Sequence, residues 1–362
     1  MARRVHIVVP ALQPNGGIRE VIRLGAQLRE LGCEVTLLCL WQARDAERTL
    51  ADMGGAGLVV QALSAWPPSR RLAPLQWPVL WARFGRWQAR AGHPDATVFT
   101  HYSTLALAGA NPPHKRWFLV QDMEWEFLAP GVGRQLLRRW MLRAWRAGRL
   151  VSANRYLTDR LAAEGLQAAL TLPVWASAAF SAHGADGPRD VDVALVLRRG
   201  AHKRLDRYAR FVQTMHRRRP GLRLAAVAPE EALFDELGAP VALRLTRPDT
   251  ETLRALYGRA RCFVHLSEHE GFGLPPLEAM GSGCVPVCTD SGGIRAYLQG
   301  DLQACIQPGE SAVADATLAL LDDPARWQAL STRCRAAFDH GLHATEEARA
   351  RALRAWVDAL DA

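Results

Sequence analysis

The densest chemistry in the chain lies in residues His265–Gly293, which read HLSEHEGFGLPPLEAMGSGCVPVCTDSGG. Two carboxylates, Glu270 and Glu278, stand eight positions apart across a turn that contains Gly271 and Gly273. Pro275 and Pro276 suit the first turn of a helix, where a missing N–H goes unnoticed. Gly281 and Gly283 end that helix. The glycines of the turn let backbone N–H groups approach a ligand closely, and a helix N-terminus favours negative charge beside it. A carboxylate at such a point accepts bidentately from paired hydroxyls. The composition therefore fits recognition of one small molecule that carries hydroxyl pairs and negative charge.

Such a turn needs a strand before it and a helix after it, and the chain supplies that pairing repeatedly. VHIVVPAL, EVTLLCL, GLVVQAL, ATVFTHY, KRWFLVQD, GRLVSAN and AALTLPV read as strands in the first half. DVALVL, LRLAAVA, VALRLT, RCFVHLS, CVPVCTD and ACIQP do so in the second. Several are apolar without alternation, as parallel strands buried on both faces are. Between them, Ile18–Leu31, Tyr156–Glu164, Leu205–Arg217 and Thr250–Ala260 show 3.6-residue apolar spacing. Repeated βα units imply doubly wound parallel sheets, and 362 residues suffice for two domains. The small-residue, Gly/Pro-containing stretch 176–190 reads as a linker. The expected organisation is residues 1–175, a linker over 176–190, residues 191–343, and a closing helix over 344–362 that is the last of three helical patterns and returns to the first domain.

Glu270 and Glu278 form an E-x7-E element, and the surrounding EGFGLPPLEAMGSGCVPV resembles family 4 of the retaining glycosyltransferases with the GT-B fold. Pro10–Gly17 resembles that family's N-terminal glycine loop, and Leu150–Leu161 its VS-x-N-x-x-L element. The resemblance implies two Rossmann-like domains facing a central cleft and a nucleotide-diphosphate sugar as donor. It places Glu278 on the ribose hydroxyls. Glu270 falls on the donor sugar, with the N–H groups of Phe272, Gly273 and Leu274 on the sugar hydroxyls. The family's diphosphate-binding Arg and Lys stand five residues apart, a spacing matched by Arg198 and Lys203, with Arg199 competing for the first position. The chain has 45 basic residues, of which only Lys115 and Lys203 are lysines. A lysine at 203 therefore argues for a point-charge phosphate contact. Gly292 and Gly293 open the next helix and can lend N–H groups to the diphosphate. Gly16 and Gly17 precede the first helix and can meet the donor phosphate or the acceptor.

Members of the family also carry a His or Asp beside the donor sugar, after a middle strand of the first domain. His101 and the pair Gln121–Asp122 both fit that description. VQDMEWEF resembles the VQD-x-E segment of rhamnosyltransferase-like members, which favours Asp122 and tilts the donor toward dTDP-rhamnose, with GDP-mannose and UDP-sugars open. His101 and Glu124 remain candidates for lining the cleft. The implied reaction is front-face transfer with retention, in which Arg198 and Lys203 stabilise the departing diphosphate. No metal and no separate cofactor is expected. Asp190-Val191-Asp192 spells a DxD, but it precedes a strand instead of following one. Cys284 and Cys288 bracket a strand without a companion pair at zinc spacing. The first strand is not followed by GxGxxG, and the chain has no Walker A lysine.

Charge is divided unevenly. Residues 1–175 carry 22 Lys and Arg against 12 Asp and Glu, and the remainder 23 against 24. No acid lies between Asp52 and Asp95, where Arg70, Arg71, Arg83, Arg86 and Arg90 alternate with Trp66, Trp77, Trp81 and Trp87. A second acid-free run, Arg134–Arg149, holds six arginines with Trp140 and Trp145. Such a surface suits an anionic membrane, and hence a lipid-linked glycan acceptor. Leu137, Trp140, Met141 and Ala144 are also spaced to pack on a sheet, leaving only arginines outside. Nucleic acid is not expected, since no recognition motif accompanies the charge. MARRVHIVVPAL is too short before Pro10 for a signal peptide, and the cysteines sit in or beside apolar runs as buried thiols. The expected location is the cytoplasm, at the inner face of the membrane.

Overall fold

A computed structural model describes residues 2–13, 15–43, 46–65, 73–181 and 187–360. Pro14 of the first glycine loop, Trp66, Arg70, Arg71 and part of the expected linker lie outside the described residues. The chain divides into two units. The first comprises residues 1–125, 131–174 and 348–362, and the second residues 126–130 and 175–347.

All thirteen segments read as strands form strands. In the first unit these are β1 (Arg4–Val9), β2 (Glu34–Cys39), β3 (Val59–Ala62), β4 (Ala96–Phe99), β5 (Arg116–Val120), β6 (Arg149–Ser152) and β7 (Ala168–Thr171). They make one parallel sheet of order β3-β2-β1-β4-β5-β6-β7. The helices between them are α1 (Gly16–Glu30), α2 (Ala46–Asp52), α3 (Ala73–Ala91), α4 (Val132–Trp145) and α5 (Arg155–Ala163). A 3₁₀ segment, Tyr102–Ala110, joins β4 to β5. Asn15 caps α1 by accepting from the Ile18 N–H, and Asn154 caps α5 through Leu157 in the same way. Such caps satisfy donors that the first turn leaves orphaned.

Right-handed crossovers put helices that step in opposite directions on opposite faces of this sheet. One face is the aliphatic core, in which Val5, Ile7, Val9, Leu37 and Val98 meet Val21, Ile22 and Leu24 of α1. The other face is aromatic. Phe84 of α3 packs on Phe99, and Phe99 on Phe118.

The second unit holds β8 (Val191–Val196), β9 (Leu224–Ala228), β10 (Leu243–Thr246), β11 (Ala260–His265), β12 (Val285–Thr289) and β13 (Ile306–Gln307). Its parallel order is β10-β9-β8-β11-β12-β13. The helices are α6 (Leu205–Arg218), α7 (Ala232–Asp235), α8 (Thr250–Arg259), α9 (Leu274–Gly281), α10 (Glu310–Asp322) and α11 (Pro324–Asp358). The closing helix expected over 344–362 as the last of three is instead, as far as Asp358, the end of the continuous 35-residue α11. Gly341 lies within it, where the indole of Trp175 occupies the space a Cβ would take. The last turns of α11 belong to the first unit, where Leu353, Trp356 and Val357 join the aliphatic core.

Candidate functional site

In the second unit, three loops at the carboxyl ends of β8, β11 and β12 carry most of the residues singled out. Ligands bind at such edges of doubly wound sheets. The β11 loop turns sharply at Gly273, whose φ of 82° is left-handed, and α9 starts directly after it with Pro275 and Pro276 in its first turn. The Tyr297 hydroxyl donates to the Gly273 carbonyl at 2.6 Å and fixes the turn. The β12 loop is laced to it: Glu270 N–H donates to Ser291 O at 2.9 Å, and Gly293 N–H to Glu270 O at 3.1 Å. A side chain at 293 would lie 2.5 Å from the Phe272 nitrogen, so only glycine allows this approach. Gly292 and Gly293 open a four-residue 3₁₀ turn, Gly293–Ala296, where a helix was expected.

The β8 loop delivers Lys203 to this assembly. Glu268 N–H donates to the His202 carbonyl at 2.8 Å, tying the two loops backbone to backbone. Arg204 follows in a left-handed conformation at φ 52°, a costly choice for a non-glycine residue. Its guanidinium is held by Asp206 at 2.9 Å and Glu268 at 2.7 Å. The Lys203 ammonium donates to both oxygens of Glu270 at 2.8 Å. His265, the buried last residue of β11, puts Nε2 3.5 Å from Glu270 Oε1. Burial alone would raise the Glu270 pKa, but the Lys203 charge, His265 and hydrogen bonds from Lys203 and Ser267 outweigh it and hold the group at about 2. His265 is lowered to about 4 by burial, partly offset by Glu270.

Glu278 is buried on α9, and the buried Tyr257 hydroxyl, pushed up chiefly by burial, feels both the Glu278 charge and that of Arg198. Of the two competing arginines, Arg199 ion-pairs with Glu230 and with Glu236, the latter at 2.8 Å. Two carboxylates thus engage Arg199, which had been a candidate for the diphosphate. The loops after β9 and β10 are joined by Thr246 Oγ1 donating to Glu231 at 2.6 Å and Arg247 Nε donating to Pro229 O at 2.8 Å. Of the DxD carboxylates, Asp190 pairs with Arg259 at 2.7 Å, and Asp192 accepts from the Arg223 N–H at 2.8 Å.

The first unit gathers the others. Gly16 and Gly17 start α1, and a Cβ on Gly17 would lie 3.2 Å from Gln121 Oε1. Gln121, Asp122, Glu124 and His101 line one small cavity at the ends of β4 and β5, with Thr100 and Tyr102. The Glu124 carboxylate accepts from the Tyr102 N–H at 2.5 Å and lies 3.9 Å from His101 Nε2. Burial pushes the Glu124 pKa well above its ordinary value and that of His101 down to about 4.

The structure therefore brings Lys203, Glu270, Phe272, Gly273, Gly292 and Gly293 together in one unit. It brings Gly17, Gln121, Asp122, Glu124 and His101 together in the other. Sequence reasoning missed His265, Arg204 and Tyr297. The signal for His265 was a polar residue inside an otherwise apolar strand.

Residues 192–337 match the family model described as Glycosyl transferases group 1. A putative glycosyltransferase 41 of a Sulfolobus islandicus filamentous virus is 38% identical over 74 residues, which is 20% of this chain and 22% of that protein. The GDP-mannose:cellobiosyl-diphosphopolyprenol alpha-mannosyltransferase of Xanthomonas oryzae pv. oryzae is 51% identical over 43 residues, or 12% of this chain and 11% of that one. The chain thus spans about a fifth and about a tenth of the length of these curated relatives. Among solved structures, Anabaena HepE in complex with UDP-glucose superposes with a TM-score of 0.75 at 13% identity, over 98% of this chain and 99% of that one. The fold is GT-B.

Proposed function

Proceeding from a GT-B chain whose second unit carries a glycosyl transferases group 1 domain, we propose that the protein is a retaining, metal-independent glycosyltransferase. It moves a sugar from a nucleoside-diphosphate donor to a glycan on a lipid carrier, at the inner face of the cytoplasmic membrane, in the building of a bacterial surface polysaccharide. The observation that carries the reading is the Lys203–Glu270 pair, 2.8 Å apart at a glycine-laced turn that leads into α9 and Glu278. The printed name of the Xanthomonas relative, a polyprenol-linked transfer, supports the lipid carrier and a GDP-mannose donor. The VQD-x-E resemblance supports dTDP-rhamnose.

In this reading Glu278 accepts from the ribose hydroxyls, and the N–H groups of Phe272, Gly273 and Leu274 meet the sugar. The engagement of Arg199 by Glu230 and Glu236 supports Arg198 over Arg199 beside Lys203 on the diphosphate, helped by Gly292 and Gly293. The acceptor oxygen bonds to the anomeric carbon on the face that the diphosphate leaves. The bond from that carbon to phosphate oxygen breaks, and the acceptor proton passes to the departing phosphate. Fixed positive charge at the developing anion is then the chief catalytic contribution, worth about 3 kcal/mol per contact. Asp122, with Gln121, His101 and Glu124 beside Gly16 and Gly17, is the first unit's set for the acceptor.

Thermal unfolding in UDP, GDP and dTDP, free and sugar-conjugated, tests the assignment. Ligand at 100 times its dissociation constant adds about 2.7 kcal/mol, a rise of a few degrees for domains of this size. One nucleotide should raise Tm in the wild type and not in Glu278→Ala, and it names the donor. A folded sample that responds to none of them would leave a catalytically silent binding protein.

A further inference from the structure

In a helix packed on a sheet, the large apolar residues belong underneath. On α4, Met141, Leu142 and Trp145 are buried in that way, while Val132, Leu136 and Trp140 are 73%, 59% and 40% exposed. These three recur every four residues and form one stripe along the outside of the helix. Arg139, Arg143 and Arg146 flank the stripe on the same outer face, and among the described residues none of them has a carboxylate partner. Arg138, by contrast, is turned aside to Glu164. The other arginine- and tryptophan-rich helix is α3. Both α3 and α4 pack against the 3₁₀ segment Tyr102–Ala110, on the aromatic face of the sheet. There α3 exposes Val79 at 49%, with Arg86 and Arg90 on the same side of the helix.

We infer that this face of the first unit, α4 foremost, docks on the anionic surface of a lipid bilayer. Val132, Leu136 and Trp140 enter the headgroup boundary, and Arg139, Arg143 and Arg146 lie on lipid phosphates. Exposed apolar groups ringed by unpaired arginines, with no acid from residue 127 to residue 158, match an interface that is apolar beneath and negative above. A protein partner with an acidic, apolar groove would meet the same charge. The bilayer is favoured because the stripe follows a convex helix, which a flat surface can accept along its length. The inference rests on and deepens the membrane location proposed above, and it does not require the transfer reaction.

The test is co-sedimentation of the full chain with vesicles of phosphatidylcholine alone and with 30 mole per cent or so of phosphatidylglycerol. The wild type should bind the anionic vesicles, release from them in about 1 M salt, where screening is strong, and ignore the neutral ones. Arg139→Gln with Arg143→Gln should lower the partition coefficient about 25-fold, about fivefold for each charge. Leu136→Ser with Trp140→Ser should also lower it at low salt, although every arginine is kept. Both residues are exposed, so Tm and the nucleotide-induced rise in Tm should stay at wild-type values. That control separates failure here from failure of the transferase assignment. Equal binding by wild type and both variants, or no binding to anionic vesicles, would overturn the inference. So would a wild-type dimer that Leu136→Ser converts to monomer without affecting vesicle binding.

Discussion

Lys203 Nζ lies 2.8 Å from both carboxylate oxygens of Glu270, across 67 residues of sequence. The cation assigned to a departing phosphate is therefore paired with the carboxylate assigned to the sugar. Lys203→Ala should cut kcat by about 10²–10³, the usual cost of removing one preorganised contact to a developing anion. Lys203→Arg retains the charge and should recover part of that loss. Single-turnover rates on a nucleotide-sugar measure it, and an unchanged rate in Lys203→Ala would remove the residue from the chemistry.

Glu270 is held near pH 2, below its ordinary value of 4.5. A carboxylate depressed in the folded state contributes stability that is complete above the unfolded value. That contribution fades as pH falls toward the folded value. Urea midpoints should thus drop more steeply between pH 4.5 and 2 in the wild type than in Glu270→Gln. Parallel curves would show that the ion pair adds nothing to folding.

Glu124 behaves in the opposite sense. Burial raises its pKa in the folded state, so its contribution is complete below 4.5 and is lost as pH rises through the raised value. Glu124→Gln keeps an acceptor for the Tyr102 N–H and cannot ionise. It should be more stable than the wild type at pH 8 and equal to it at pH 4. A wild type that is the more stable at pH 8 would contradict this.

Two glycines separate backbone constraint from side-chain constraint. A methyl at 293 meets the Phe272 nitrogen at 2.5 Å and the Glu270 carbonyl at 2.6 Å, and neither can move alone. At 17 it meets only side-chain ends, Gln121 Oε1 at 3.2 Å and Asn15 Oδ1 at 3.4 Å. Gly293→Ala should lose several degrees of Tm, corresponding to about 2 kcal/mol or more. Gly17→Ala should stay within about two degrees, a difference that calorimetry resolves.

Arg349 is fully buried, 2.5 Å from Glu20, and donates to Gln27 at 2.7 Å and to Pro173 O at 2.9 Å. Removing one member of such a pair strands the other, at a cost of about 3–5 kcal/mol. Arg349→Leu should destabilise by that amount. Adding Glu20→Leu should restore most of it. Denaturant unfolding of the two variants decides whether the pair or its packing matters.

Strands were legible throughout because residues buried on both faces leave unbroken apolar runs, as in LAAVA and VPVCT. The E-x7-E turn was legible because local glycine and proline chemistry marks it. What was not legible depends on long-range placement. Nothing in LRRGAHKR shows that Arg199 finds Glu230 and Glu236, or that His265 backs Glu270. Periodicity assigned Trp140 and Met141 to one helical face, and the structure splits them, Met141 inward and Trp140 outward. Apolar spacing on α4 is nearly continuous around the helix, so spacing alone does not choose the buried side.

The aliphatic core of the first sheet is completed by Leu353, Trp356 and Val357, and Trp356 packs on Trp117 of β5 with ring centroids 5.2 Å apart. These residues come after the whole of the second unit in the chain. The amino-terminal half of the polypeptide must therefore wait for the whole of the second unit to be translated before it can close its own interior. During synthesis the second unit is the part able to reach its final packing first, reversing the order in which a vectorially made two-domain chain ordinarily matures.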